Sequence, residues 1–223
     1  MEMTARQAAE RLGVSTREVN RLIHNRSLRA TKLGDRTSAW LIDAGSLNEY
    51  GRIKKGRGRS WNVATAWALL NELSGIEQTL HPVMRLRISQ RISTSTAEEI
   101  VRKVAARVKT RTFAADDRDA TVRDLTLTGE SAADQIDVDL VGAGRTVEGY
   151  VPDGDVEEFS RSHLLVEDPS GDVVIYDTAR TVGHELPVAV VAADLARSTN
   201  TRARAAGVRV LDSLRERWIA SNL

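Results

Sequence analysis

The chain of 223 residues has no cysteine. That excludes disulfide staples and thiolate-ligated metal sites. Its four histidines, His24, His81, His163 and His184, stand too far apart for metal-ligand spacing. No run of eighteen apolar residues offers a membrane span, and the N-terminus lacks the pattern of a signal peptide. The expectation is a soluble cytoplasmic protein with no membrane partner. Other signatures are missing too. No Gly-x-Ser-x-Gly element is present, and Gly142-Ala143-Gly144 lacks the further glycine and helix entry of a dinucleotide loop. No leucine heptad marks a coiled coil, and only Val208, Leu211 and Leu214 suggest a face that could pair two chains. A net charge of +1 favours no class of partner by itself.

What is present is an uneven distribution of that charge. Residues 1–60 carry 13 Lys and Arg against 6 Asp and Glu, residues 61–111 carry 8 against 4, and residues 112–223 carry 11 against 21. A near-neutral chain is therefore split into a basic half suited to phosphate and an acidic half suited to protein contacts.

The most informative stretch is the first fifty residues. Ala5, Ala8, Ala9 and Leu12 recur at helical period and give a first helix with a small-residue inner face. Gly13 stops that helix, and Val14 plugs the corner. Ser15 with Glu18 forms a capping-box pattern for a second helix whose buried stripe is Val19, Leu22 and Ile23. Thr16, Arg17, Asn20 and Arg21 are left facing outward, the side-chain types that hydrogen-bond base edges and phosphates in a major groove. Residues 28–33 and 37–42 flank Gly34-Asp35-Arg36 as a hairpin, with Lys32, Arg36 and Thr37 placed to lie along a DNA backbone.

Residues 3–50, with "TARQAAERLGVSTREVNRLI", a hairpin ending in Trp40-Leu41-Ile42 and a closing helix over 43–50, resemble the excisionase and MerR-type winged helix-turn-helix. The resemblance implies a DNA ligand. On this reading Arg17, Asn20 and Arg21 read base edges, while Thr16, Lys32 and Arg36 hold phosphates, with Ser15 and Thr37 beside them. From residue 52 glycines alternate with basic residues through Lys54, Lys55, Arg57 and Arg59, which reads as an arm for a narrow minor groove. The domains expected are a winged helix-turn-helix over 1–51, a basic arm over 52–61 and a second domain over 62–223.

The fold class expected is mainly α with an α+β C-terminal half. In the second domain, 62–74, 82–91 and 95–108 read as helices, with Trp61 and Trp67 opening a new core. The part up to residue 111 displays Arg85, Arg87, Arg91, Arg102, Lys103, Arg107, Lys109 and Arg111, a candidate second DNA surface. Beyond residue 112 the expectation is a strand over 122–127, a short helix over 131–135, a strand over 145–151 and a helix over 156–163. A hairpin of 164–166 with 172–176 and helices over 188–197 and 202–219 complete the chain. The segments "RSWNVATAWALLNELSG", "LTLTGESAADQIDVDLVGAG", "VEGYV" and "HLLVEDPSGDVVI" resemble actinobacterial regulators of the AbiEi antitoxin kind, which repress their own operon and counter a nucleotidyltransferase toxin. The chain also resembles actinobacteriophage immunity repressors, in which a small helix-turn-helix precedes a second basic region. Both resemblances imply a repressor in a bacterial cytoplasm.

One short stretch resembles a catalytic site. Gly129-Glu130-Ser131 followed by Asp137-Val138-Asp139 approaches the carboxylate pair of a nucleotidyltransferase, which needs two acids on alternate strand residues to hold Mg²⁺. The glycine and serine are not adjacent and no third strand carboxylate follows. The reading is a DNA-binding repressor without catalytic residues, cofactor or metal. Its DNA partner is double-stranded, with a monomer on an asymmetric site preferred to a dimer, and a toxin on the acidic half is the alternative partner.

Overall fold

In the computed structural model, residues 2–25, 27–34, 39–54, 59–138, 146–178 and 180–222 are described, with the backbone alone at 53 and 54. The N-terminal unit runs β1 (Glu2–Thr4), α1 (Ala5–Leu12), α2 (Thr16–His24), β2 (Ala30–Lys32), β3 (Trp40–Asp43) and α3 (Ala44–Lys54). Thr4 and Gln7 cap α1 reciprocally, and Gly13 ends it at φ 65°, a backbone geometry that favours glycine. Ser15 Oγ accepts from Glu18 N at 3.2 Å to start α2. Both β1 and β2 pair antiparallel with β3, placing Met3 and Ala30 opposite Ile42. Ala8, Ala9, Val19, Leu22, Leu28, Ile42 and Leu47 close one core.

Two features differ from the sequence expectation. Strand β1 was not foreseen, because three residues with one apolar side chain show no alternation. The closing helix also runs past Tyr50 to Lys54 and takes in the start of the expected arm. Asp43 Oδ2 accepts from Ser46 N at 2.7 Å at its beginning. Near its end Arg52 reaches the second domain, so this turn is held by tertiary contact where the sequence shows no apolar periodicity. The hairpin tip at 35–38 lies outside the described residues.

The rest of the chain contains α4 (Val63–Leu73), α5 (Pro82–Thr94), α6 (Ala97–Val104), β4 (Lys109–Ala114), α7 (Arg118–Asp124) and β5 (Thr126–Leu127). After them come β6 (Val147–Tyr150), α8 (Val156–Ser162), β7 (Val166–Glu167), β8 (Val173–Asp177), α9 (Val188–Leu195) and α10 (Thr201–Asn222). A five-stranded sheet has the order β5-β6-β8-β4-β7, with β6 and β8 parallel and the other pairs antiparallel.

The basic part and the acidic part are not separate bodies. One core joins Trp67, Leu70, Ile88, Ile92, Ile100 and Val104 to Tyr150, Val174, Tyr176, α9 and the inner face of α10. A second, smaller core on the sheet gathers Phe113, Val173, Ile175, Val156 and Phe159. Helix α9 is buried from Ala189 to Leu195, which is why its sequence is apolar on every side but for Asp194. Leu211 and Leu214 are buried within the same core, and Val208 packs against it.

Two further expectations are corrected. Residues 118–124 form helix α7 where a strand over 122–127 was expected, because Asp117 Oδ1 caps the turn by accepting from Ala120 N at 2.9 Å. The strand shrinks to Thr126–Leu127. The segments 164–166 and 172–176 do not form a hairpin with each other, since β4 lies between β7 and β8. Val173 to Tyr176 are all buried and need a partner on each side. Gly171 lets β4 pass, for a Cβ there would fall 2.1 Å from Phe113 O.

Candidate nucleic-acid interface

Helix α2 buries Val19, Leu22 and Ile23 and leaves Thr16, Arg17, Asn20 and Arg21 exposed. Positions three and four apart share a face, as Arg17 and Asn20, Thr16 and Asn20, and Arg17 and Arg21 do, so these four form one polar strip. Ser15 stands at its start, its hydroxyl engaged in the cap. The two arginines differ. Arg21 holds Glu18 through Nε and Nη2, each at 2.8 Å, and the hydrogen bond and charge of Glu18 raise its pKa. Arg17 has no ion pair among the described residues. At the far end of α2, His24 Nδ1 lies 2.7 Å from Asn20 O, and its ring meets Trp40 edge-on at 6.1 Å, which ties the helix to β3.

Lys32 is exposed at the end of β2, opposite Trp40. Arg36, Thr37, Lys55, Arg57 and the side chain of Lys54 lie outside the described residues. Arg59 is exposed, and its carbonyl accepts from Lys103 Nζ at 3.1 Å. Trp61 N donates to Lys103 O at 3.0 Å, and Arg91 lies 5.0 Å over the Trp61 ring. The C-terminal end of the expected arm is therefore fastened to α6.

The second basic surface is smaller than its sequence suggests. Arg85, Arg87 and Lys109 are exposed. Arg91 is engaged with Trp61, Lys103 with the arm, and Arg102 pairs with Glu99 at 3.9 Å. Arg107 and Arg111 do not belong to this surface at all. Arg107 is buried and donates to Asp194 Oδ1 at 2.5 Å, while Tyr150 OH and Thr128 Oγ1 donate to Asp194 Oδ2 at 2.8 and 2.9 Å. Burial works against the Arg107 charge, but Asp194 outweighs it and the pKa is raised. Arg111 pairs with Glu157 at 2.7 Å and Glu167 at 3.0 Å. A signal for the first pair was available: Asp194 is the lone acid in the apolar run of α9 and had to find a buried cation.

Of the acids that approach a nucleotidyltransferase pair, Asp137 ends a 3₁₀ turn (Asp134–Ile136) at φ 55° and is not on a strand, and Asp139 lies outside the described residues.

Sequence reasoning missed the junction between the N-terminal unit and the second domain. Arg197 Nε and Nη2 both reach Glu49 Oε1 at 2.8 Å, and Arg52 Nη2 donates to the carbonyls of Arg197 and Ser198 at 3.3 and 3.4 Å. A cavity of about 300 Å³ opens beside this contact, lined by Arg29 and Glu49 on one side and Glu130, Glu148, Tyr176 and Arg197 on the other. Burial, reinforced by the charges of Glu130 and Asp194, pushes the Glu148 pKa up to about 7.

No helix among the described residues is long and apolar enough to cross a membrane. Neither a curated protein nor a solved structure matches the chain. The family model described as a helix-turn-helix domain matches residues 2–61. With the geometry of α1, the Gly13 turn and α2, this match marks the N-terminal unit as a helix-turn-helix domain of the kind that DNA-binding regulators carry.

Proposed function

We infer that this chain is a sequence-specific DNA-binding repressor of transcription acting in the cytoplasm of a bacterial cell. The observation that carries the reading is the strip of Thr16, Arg17, Asn20 and Arg21 standing free of the core on the second helix of a matched helix-turn-helix domain. Arg17, Asn20 and Arg21 would donate to or accept from base edges in the major groove, and Thr16 and Lys32 would hold phosphates. Lys54, Lys55, Arg57 and Arg59 would follow the adjacent minor groove, and Arg85 and Arg87 would add a weaker, sequence-independent attraction. The chain acts by binding and not by catalysis. As a monomer it would occupy an asymmetric site, a reading supported by the burial of Leu211 and Leu214.

A phage or mobile-element immunity repressor is the context we favour, since its requirement is DNA binding by the chain itself. The second context is an antitoxin that represses its own operon and neutralises a partner through its acidic half. It is supported by the excess of acids over residues 112–223. Footprinting of the full chain on the DNA flanking its own coding frame tests the shared part of both. A protected site over a promoter, with reporter output falling when the protein is supplied, is the expected result. No protection at near-physiological salt would overturn the repressor reading.

A further inference from the structure

The helix-turn-helix domain is joined to the rest of the chain by more than its covalent link. Glu49 and Arg52 are one turn apart on α3 and both engage the turn between α9 and α10. Their roles are reciprocal: Glu49 accepts from the Arg197 guanidinium, and Arg52 donates to the carbonyls of Arg197 and Ser198. The Arg197 side chain is only 8% exposed, and Glu49 is 17% exposed. Arg197 is further confined by Tyr176, whose ring centroid lies 5.5 Å from its guanidinium carbon. Backbone approach adds a third point, since a Cβ at Gly45 would lie 3.2 Å from Thr199 Cγ2. Arg204 secures the far side of the same turn, donating to Ser198 O at 2.9 Å.

A flexible tether would need none of this. Burying a charged pair is costly unless its geometry is fixed, and the best-attested use of such a pair is to select one arrangement over others. We propose that Glu49, Arg52 and Arg197 form a clasp that locks the helix-turn-helix domain onto the second domain in one orientation, so that the two halves bind DNA as a single pre-set body. These are positioning residues, acting through α3 on the placement of α2 and touching no base. The proposal rests on the DNA-binding reading above. It adds that affinity and site length depend on a contact remote from the recognition strip, because an orientation fixed in advance need not be ordered at the moment of binding.

The absence of cysteine makes the test direct. Cysteines placed at the exposed positions Glu10 and Glu216, one in each half, carry spin labels in the full chain, and the distance distribution is measured with and without Glu49→Gln/Arg52→Ala. The clasp predicts one narrow distance that broadens in the double variant. Affinity for the selected DNA site then falls by about 10²-fold, as expected when two linked contacts lose their fixed geometry. The protected footprint shortens, while binding to a duplex bearing only the part read by α2 is unchanged. Arg52→Ala alone removes a half-buried donor and leaves the Glu49–Arg197 pair in place. It gives an intermediate result and serves if the double variant does not fold. A distance that stays narrow, or one that broadens with no change in affinity or footprint, overturns the proposal. If the unmodified chain binds no DNA, the repressor reading fails as well, which separates the two failures.

Discussion

Arg17 and Arg21 sit one turn apart on α2 with the same side chain and different surroundings. Arg17 is free of ion pairs among the described residues, whereas Arg21 is held by Glu18 and must leave it to reach a base. Arg17→Ala is therefore expected to reduce discrimination between the selected site and random DNA by about 1–3 kcal/mol, read from competition titrations. Glu18→Gln should act in the opposite direction and tighten binding to both, since it releases Arg21 and removes a negative charge from the strip. Unchanged affinity for random duplex would count against that role for Arg21. Glu148 offers a test away from the DNA. Its pKa is near 7 in the folded chain against 4.5 for an ordinary glutamate, so the folded state holds the proton more tightly. Between those values folding takes up a proton, and stability falls as pH rises, levelling off above about pH 7. Denaturant midpoints at about pH 5 and about pH 7.5 should show this fall in the native chain and a flatter response in Glu148→Gln.

At the scale of elements, what was legible in the sequence was what local signals write. Helices α1 and α2, the Gly13 stop, the Ser15 cap and the β2–β3 hairpin follow from spacing within a few residues, and so do α4, α5, α9 and α10. Other elements depend on distant partners. Strand β1 exists because β3 offers an open edge, and β4 inserts between β7 and β8 because β8 is buried on both faces. The candidate site divides in the same way. The α2 strip was readable, yet Arg107 and Arg111 looked like surface charge because their acids lie 87 residues or 46 and 56 residues away. The α9–α10 pair shows how tightly such contacts are built. A Cβ at Gly207 would fall 2.5 Å from Ala196 N and 2.6 Å from Ala192 O, both backbone atoms that cannot yield. Gly207→Ala should thus destabilise the chain by about 1–3 kcal/mol despite its better helix propensity. A melting temperature equal to that of the native chain would mean that the two helices can separate freely.

For the molecule as a whole, one buried polar contact ties the second domain together and another joins it to the N-terminal unit. Asp194 gathers Arg107, Tyr150 and Thr128 from three segments into the core of the second domain. Asp194→Ala leaves a buried guanidinium uncompensated and should cost about 3–5 kcal/mol by chemical denaturation, against a smaller loss for Asp194→Asn, which keeps an acceptor. The Glu49–Arg197 clasp joins residues 148 apart in sequence and was invisible to any reading of periodicity. Basic charge is concentrated toward the N-terminus and acidic charge toward the C-terminus, and the strip proposed to bind DNA is carried on the basic side. The central claim is that α2 reads sequence. Its most direct test is selection of bound duplexes from a random pool at near-physiological salt, using the full native chain beside Arg17→Ala/Asn20→Ala/Arg21→Ala. The account predicts one enriched site without two-fold symmetry for the native chain and none for the variant, while both still retain DNA at low salt. No enrichment by the native chain, or the same site enriched by the variant, would contradict it.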